Sequence, residues 1–257
     1  MNPKHQAIAL YTLVRRELVR MFRIASQVFL PPVITTALYF AIFGSLIGAR
    51  IGPVAGFDYA HFIAPGLVMM MVITNAYANV SSSLFSVRFQ RSIDEMLVSP
   101  MHYSLLLLGY TLGGVLRGLI VALLVYAVSG FFTGFELAHP MLSLLVVLLV
   151  AGLFSLAGFT NAMLARTFDD ISIIPTFVLT PLTYLGGVFY ATSMLSPFWE
   201  KLSHFNPILY MVNALRYAML GSVIGGFEMA LSVIVFSLLL MGVLNLWMLK
   251  RGIGLRE

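Results

Sequence analysis

The sequence predicts an all-α polytopic membrane protein, and three observations carry that prediction. Of its 257 residues 60% are hydrophobic and only 10% are charged, with a mean hydropathy of +0.96, far above that of an ordinary soluble domain. Apolar runs of about 20 residues, the length a helix needs to cross the hydrocarbon core, recur six times along the chain. Within them, stretches such as LSLLVVLLVAGLFSLAG lack the two-residue alternation of a membrane-barrel strand. Residues 1–257 read as one membrane domain.

Residues 1–23 place Ile8, Tyr11, Val14, Leu18 and Phe22 at helical spacing, with Arg15, Arg16, Arg20 and Arg23 on the other faces. This is an N-terminal amphipathic interfacial helix, suited to an anionic leaflet, to a partner, or to both. Spans one to five then occupy 24–191. The first, Ile24 to Ile47, is too long for a signal-peptide core, and Pro31 and Pro32 predict a kink in it. The second, Phe62 to Ser86, carries Asn75, Asn79, Ser82 and Ser86 on one face, for interhelical hydrogen bonds or for a transport route.

FQRSIDEMLVSPM follows at 89–101. Phe85, Phe89, Ile93 and Leu97 fall four apart, Arg88, Arg91, Asp94 and Glu95 take the remaining arc, and Ser99-Pro100 ends the pattern. A helix of about twelve residues, roughly 18 Å long, is expected beneath the membrane. A loop held by anionic lipid alone would favour Lys and Arg without Asp94 and Glu95.

Span three, Ser104 to Phe132, has Gly109, Gly113, Gly114 and Gly118 for close helix packing. It also has Arg117, about 20 Å along the helix, where a charge costs about 2.5 to 3.5 kcal/mol. Backbone carbonyls near those glycines or water could satisfy it; alternatively it meets an anionic headgroup at a pathway. Span four runs from Leu142 to Ala165. In RTFDDIS, Asp169, Asp170 and Ser172 suit either capping of the next helix or a partner contact. Span five, Ile173 to Ala191, sets Thr176, Thr180, Thr183 and Gly187 on one face and is interrupted by Pro175 and Pro181.

Residues 192–228 are too polar to span, yet Phe198, Trp199, Leu202, Phe205, Leu209, Val212 and Leu215 recur at helical intervals. Asn206-Pro207 divides them into two external amphipathic helices, and Trp199, Tyr210 and Tyr217 suit the headgroup layer. An interfacial hairpin and a gate both fit. Span six covers Met229 to Leu249. With six spans both termini share a side. Lys4, Arg15, Arg16, Arg20, Arg23, Arg88, Arg91, Arg166, Lys250, Arg251 and Arg256, eleven of the fifteen basic residues, make it the cytoplasmic side.

Cysteine is absent, which removes thiol and disulfide chemistry, and none of the three lysines follows glycine in a phosphate loop. The five histidines lie at no metal-ligand spacing, so no metal site is expected. No internal repeat would build a two-fold pathway from one copy.

The ordered set of N-terminal helix, FQRSIDEMLVSPM, RTFDDIS, LTPLTYLGGVFY and SHFNPILYMVNALRY resembles the membrane subunit of type-2 ABC exporters across essentially the whole chain. The resemblance implies a bacterial inner-membrane permease, itself not an enzyme, working as a dimer. Two copies of a separate ATPase subunit would bind ATP and Mg, with no cofactor in this chain and no nucleic-acid partner. It implies a coupling helix at Phe89 to Pro100, with Arg88, Phe89, Arg91, Ile93, Asp94, Glu95 and Leu97 at the ATPase and Asp169 and Asp170 beside them. Asn75, Asn79, Ser82, Thr176, Thr180, Thr183 and Arg117 would border the route. Re-entrant helices with Phe198, Trp199, Asn206, Pro207, Tyr210 and Arg216 would close its outer end. The alternative is an ion-gradient-driven secondary transporter or channel, which would bury a coupling carboxylate or show inverted repeats; neither is legible in the spans.

Overall fold

The computed structural model describes residues 3–98, 101–221 and 226–254, and the side chains of Asp94, Glu95 and Leu97 lie outside the described set. The described residues form helices α1 (Pro3–Arg23), α2 (Ala25–Tyr39), α3 (Gly48–Ile51), α4 (Tyr59–Phe89), α5 (Ile93–Val98) and α6 (Tyr103–Thr133). They continue through α7 (Pro140–Leu164), α8 (Phe168–Ile174), α9 (Thr180–Leu185), α10 (Pro197–His204), α11 (Pro207–Leu220) and α12 (Phe227–Arg251). Widened π-type turns at Phe40–Ile47 and Pro175–Leu179 carry α2 into α3 and α8 into α9.

Among the described residues five helices are long and apolar enough to cross a bilayer: Ala25–Gly44, Tyr59–Phe89, Tyr103–Thr133, Pro140–Leu164 and Phe227–Arg251. The sequence predicts six. Its fifth, 173–191, is instead a bent helix from Phe168 to Leu185 that stops at Gly186, with Gly187 at φ 70°. The cause is local. Pro175 and Pro181 have no N–H to donate, so the ladder loosens to a wider turn, and the Thr180 hydroxyl donates to the Pro175 carbonyl at 2.9 Å. By contrast α2 runs through Pro31 and Pro32 without ending.

Helix α4 is the axis of the molecule. Its most apolar window is 89% buried, against 22% for α2 and 17% for α12, and Leu67, Met69, Ile73 and Tyr77 have almost no exposure. The outer helices therefore keep apolar faces, such as Phe236, Leu239 and Val243 on α12, for lipid. The glycines of α6 do what their spacing predicts: Gly109 and Gly113 face α1, Gly114 and Gly118 face α4 and α7.

Helix α1 forms as expected but docks on an unexpected face. Leu13, Glu17 and Met21, four residues apart, are buried against α6, whereas Ile8, Tyr11 and Phe22 stay exposed. A Cβ at Gly113 would stand 2.9 Å from that of Glu17, so only glycine lets the two helices approach this closely.

The expected twelve-residue helix at 89–100 is corrected to two pieces. Helix α4 continues to Phe89, Arg91 adopts φ 58°, and α5 restarts at Ile93. A left-handed non-glycine residue costs about 1–2 kcal/mol. The Arg91 N–H bond to the Arg88 carbonyl at 2.8 Å and burial of Ile93, 3% exposed, in a cluster with Phe85, Leu106 and Met163 offset it. Ile93 thus belongs to the chain's own core.

Candidate functional site

The buried polar residues of α4 form a ladder. Asn75 turns its amide N–H to the Met71 carbonyl at 3.0 Å, which aims its oxygen at Arg117, received from Nη2 at 3.0 Å and Nε at 3.3 Å. One turn on, the Asn79 side-chain oxygen accepts from Arg20 Nη2 of α1 at 2.9 Å. One turn further, Ser83 donates to Glu17 at 2.7 Å, and Glu17 also faces Arg20 at 3.1 Å. Ser82 and Ser86 take no part, each donating back along α4 at 2.7 Å. Arg117 is therefore satisfied by an asparagine on a neighbouring helix, not by the carbonyls at Gly113, Gly114 and Gly118. A buried carboxylate exists after all, in α1, fixed between cations and a hydroxyl.

Arg117 lies at one wall of a groove of about 370 Å³ between α2, α4 and α9, which Asn75, Thr74, Thr180 and Thr183 also line. Thr176 is exposed and does not line it. At the groove's rim Tyr39 and Tyr184 pair their hydroxyls at 3.2 Å, and Phe189 packs tilted against Tyr39 and Phe43 at 5.2 and 4.9 Å. This aromatic cluster gives no sequence signal, because its members come from segments more than a hundred residues apart whose rings read as ordinary membrane aromatics.

Of the residues expected at the outer end, Arg216 is buried. It is 1% exposed, donates to the carbonyls of Gly187 at 2.8 Å and Phe62 at 3.3 Å, and covers the Phe62 ring at 3.9 Å. It clamps α11, α4 and the turn after α9. That turn needs Gly66 beneath it, where a Cβ would meet the Val188 carbonyl oxygen at 2.8 Å. Asn206 caps α11, accepting from the Ile208 N–H at 3.0 Å, and donates to the Leu182 carbonyl at 2.6 Å, with Pro207 in the first turn. Tyr210 donates to the His204 carbonyl at 3.0 Å, while Phe198 and Trp199 are exposed on α10.

At the opposite end Arg88 donates to the carbonyls of Ala162, of Met163 at 2.8 Å and of Ala165 at 3.1 Å. It neutralises the C-terminal end of α7 and ties it to the end of α4. Asp170 closes a capping box with Thr167, accepting from the backbone N–H groups of Arg166 at 2.8 Å and Thr167 at 3.0 Å. Those two bonds hold its carboxyl below the usual carboxylate range. At this end Phe89 is 62% exposed, edge-on to Phe168 at 4.9 Å, with Arg91 and Asp169 exposed alongside. Phe168 lies within RTFDDIS, whose residues 166–170 the resemblance sets beside the ATPase contact, but its ring pairing with Phe89 is not legible from spacing.

A bundle of apolar helices around a polar ladder, with an exposed aromatic patch at one end, is the frame of a membrane transport subunit, and the chain's relatives are of that kind. Residues 8–220 match the family model described as ABC-2 type transporter, and the chain belongs to that family. It is 56% identical over 214 residues to the inner membrane transport permease YadH of Escherichia coli (strain K12), covering 83% of this chain and 84% of the relative. It is also 24% identical over 217 residues to nodulation protein J of Neorhizobium galegae, covering 80% and 79% of the two chains.

Proposed function

We propose that the chain is the inner-membrane permease subunit of an ATP-driven exporter, two copies of which form the pathway with two copies of a separate ATPase. The observation that carries this is the groove beside Arg117, where Thr74, Asn75, Thr180 and Thr183 set polar side chains among apolar ones such as Val28, Met70 and Met71. Its flanks are apolar and exposed: Leu30 and Leu38 on α2, Phe177 and Val178 between α8 and α9. A second copy apposed on these flanks closes the groove into a route bounded by Asn75, Arg117, Thr180 and Thr183. On this reading the bent helix α8–α9 is the fifth of six spans, α10 and α11 form the external re-entrant pair, and both termini are cytoplasmic. The patch of Phe89, Phe168, Asp169 and Arg91 docks in the ATPase, which holds ATP and Mg.

The lack of native cysteine makes the interface testable. Phe177→Cys should give a cross-linked dimer in membranes on mild oxidation, and Phe236→Cys on α12 should not. Cross-linking at Phe236 with none at Phe177 would place any dimer on another face and remove the closed route.

A further inference from the structure

A second groove, of about 550 Å³, lies between α1 and the last turns of α4, and Arg15, Arg16, Arg20 and Arg23 all line it together with Ser83 and Ser86. One carboxylate, Glu17, faces two of these cations, Arg20 at 3.1 Å and Arg16 at 3.5 Å. The Arg16 Nη2 also donates to the Tyr110 hydroxyl at 2.7 Å. Arg15 and Arg23 make no hydrogen bond or ion pair among the described residues, and Arg20 Nε is buried without an acceptor. Four guanidinium groups against one carboxylate leave a surplus of positive charge that calls for an anion.

The geometry of α1 narrows which anion. At about 100° per residue, Arg16, Arg20 and Arg23 share an arc next to the one carrying Ile8, Tyr11, Val19 and Phe22, and Arg15 stands within that apolar arc while still lining the groove. Those four apolar side chains are 61%, 66%, 48% and 57% exposed. A free inorganic anion would use the arginines and leave this strip idle. We propose that the groove binds the phosphate of an anionic lipid-like molecule, its phosphate among the four arginines and its apolar chains along Ile8, Tyr11, Val19 and Phe22. Guanidinium groups match phosphate oxygens in forked pairs, and an interfacial helix lies at the depth of lipid phosphates. Because Gln90 and Ser92 also line the groove, the bound phosphate sits against the turn that leads into α5.

The test titrates delipidated full-length protein in detergent with phosphatidic acid, with diacylglycerol of the same chains and with inorganic phosphate, reading binding by native mass spectrometry. Phosphatidic acid should bind and diacylglycerol should not. The double variant Arg15→Gln, Arg23→Gln changes only side chains without internal bonds, so it should keep the wild-type unfolding temperature while binding phosphatidic acid about thirtyfold more weakly. Inorganic phosphate binding as tightly as the lipid would reassign the groove to free phosphate compounds and overturn the lipid assignment. Equal binding of diacylglycerol and phosphatidic acid, or an unweakened double variant, would overturn the phosphate site itself.

Discussion

A carboxylate held between Ser83 and Arg20 fixes how α1 sits on the bundle. Glu17 is 1% exposed, and breaking a buried ion pair by removing one partner costs about 3–5 kcal/mol. Arg20 and Arg16 remain 32% and 40% exposed, so water can take over part of their solvation and about 3 kcal/mol is expected for Glu17→Ala. Glu17→Gln keeps an acceptor for Ser83 and should cost less. Thermal unfolding in detergent checks both, and an unchanged midpoint for Glu17→Ala would mean that the cluster contributes nothing to docking α1. Glu17 was illegible in the sequence because, among four arginines, it reads as one more polar residue of an interfacial surface. Arg117 was legible, since a lone charge in an apolar run stands out. Its partner was not: Asn75 lies 42 positions away, and polar spacing on α4 says which face is special but not which neighbour it meets.

Helix ends set the shape of the surface built by α4, α5 and α8. Asp170 holds the start of α8 through two backbone N–H bonds, at 2.8 and 3.0 Å, and its folded pKa lies below the unfolded value of 3.8. A depressed carboxylate contributes stability that is fully present above the unfolded pKa and is lost as pH falls through the lower folded value. Amide exchange protection at Arg166 and Thr167 should therefore be constant above about pH 5 and collapse only below the ordinary carboxylate range. Asp170→Asn should abolish that pH dependence, and protection that fades near pH 6 in the wild type would assign the transition to another group. Residue type found one member of the capping box, Asp170, but not its N-cap Thr167, and helical spacing found the apolar members of the neighbouring segment, Phe85, Phe89 and Ile93. It could not find the break at Arg91, because a left-handed residue is expected at glycine or asparagine and nothing in RSIDE announces one. The same limit hid the stop at Gly186: apolar character runs on to Ala191, but the chain turns where Gly187 and the Arg216 clamp allow it.

Charge divides the whole molecule into two ends. The loops after α3 and α6 and the last turn of α11 meet around a common cavity of about 590 Å³ that includes Asp58, His61 and Glu136. The other end gathers Arg15, Arg16, Arg20 and Arg23 at α1, Arg88 and Arg91 around the α4–α5 turn, and Arg166 after α7. On the proposed topology the basic end stays in the cytoplasm during insertion, because Lys and Arg in short loops resist translocation whereas Asp and Glu have little effect. Ser92, in the turn after α4, and exposed His139, before α7, then lie on opposite sides of the membrane. In the cysteine-free background Ser92→Cys should react with an impermeant maleimide only in inside-out vesicles, and His139→Cys in intact spheroplasts. The two positions are read against each other, so poor expression of one variant does not imitate the result. Labelling of Ser92→Cys in intact spheroplasts would put the basic end outside, and the Phe89–Phe168 patch could not meet an ATPase that works on cytoplasmic ATP. The family membership would stand, while the direction of coupling and the whole proposed assembly would have to be rebuilt from the other end.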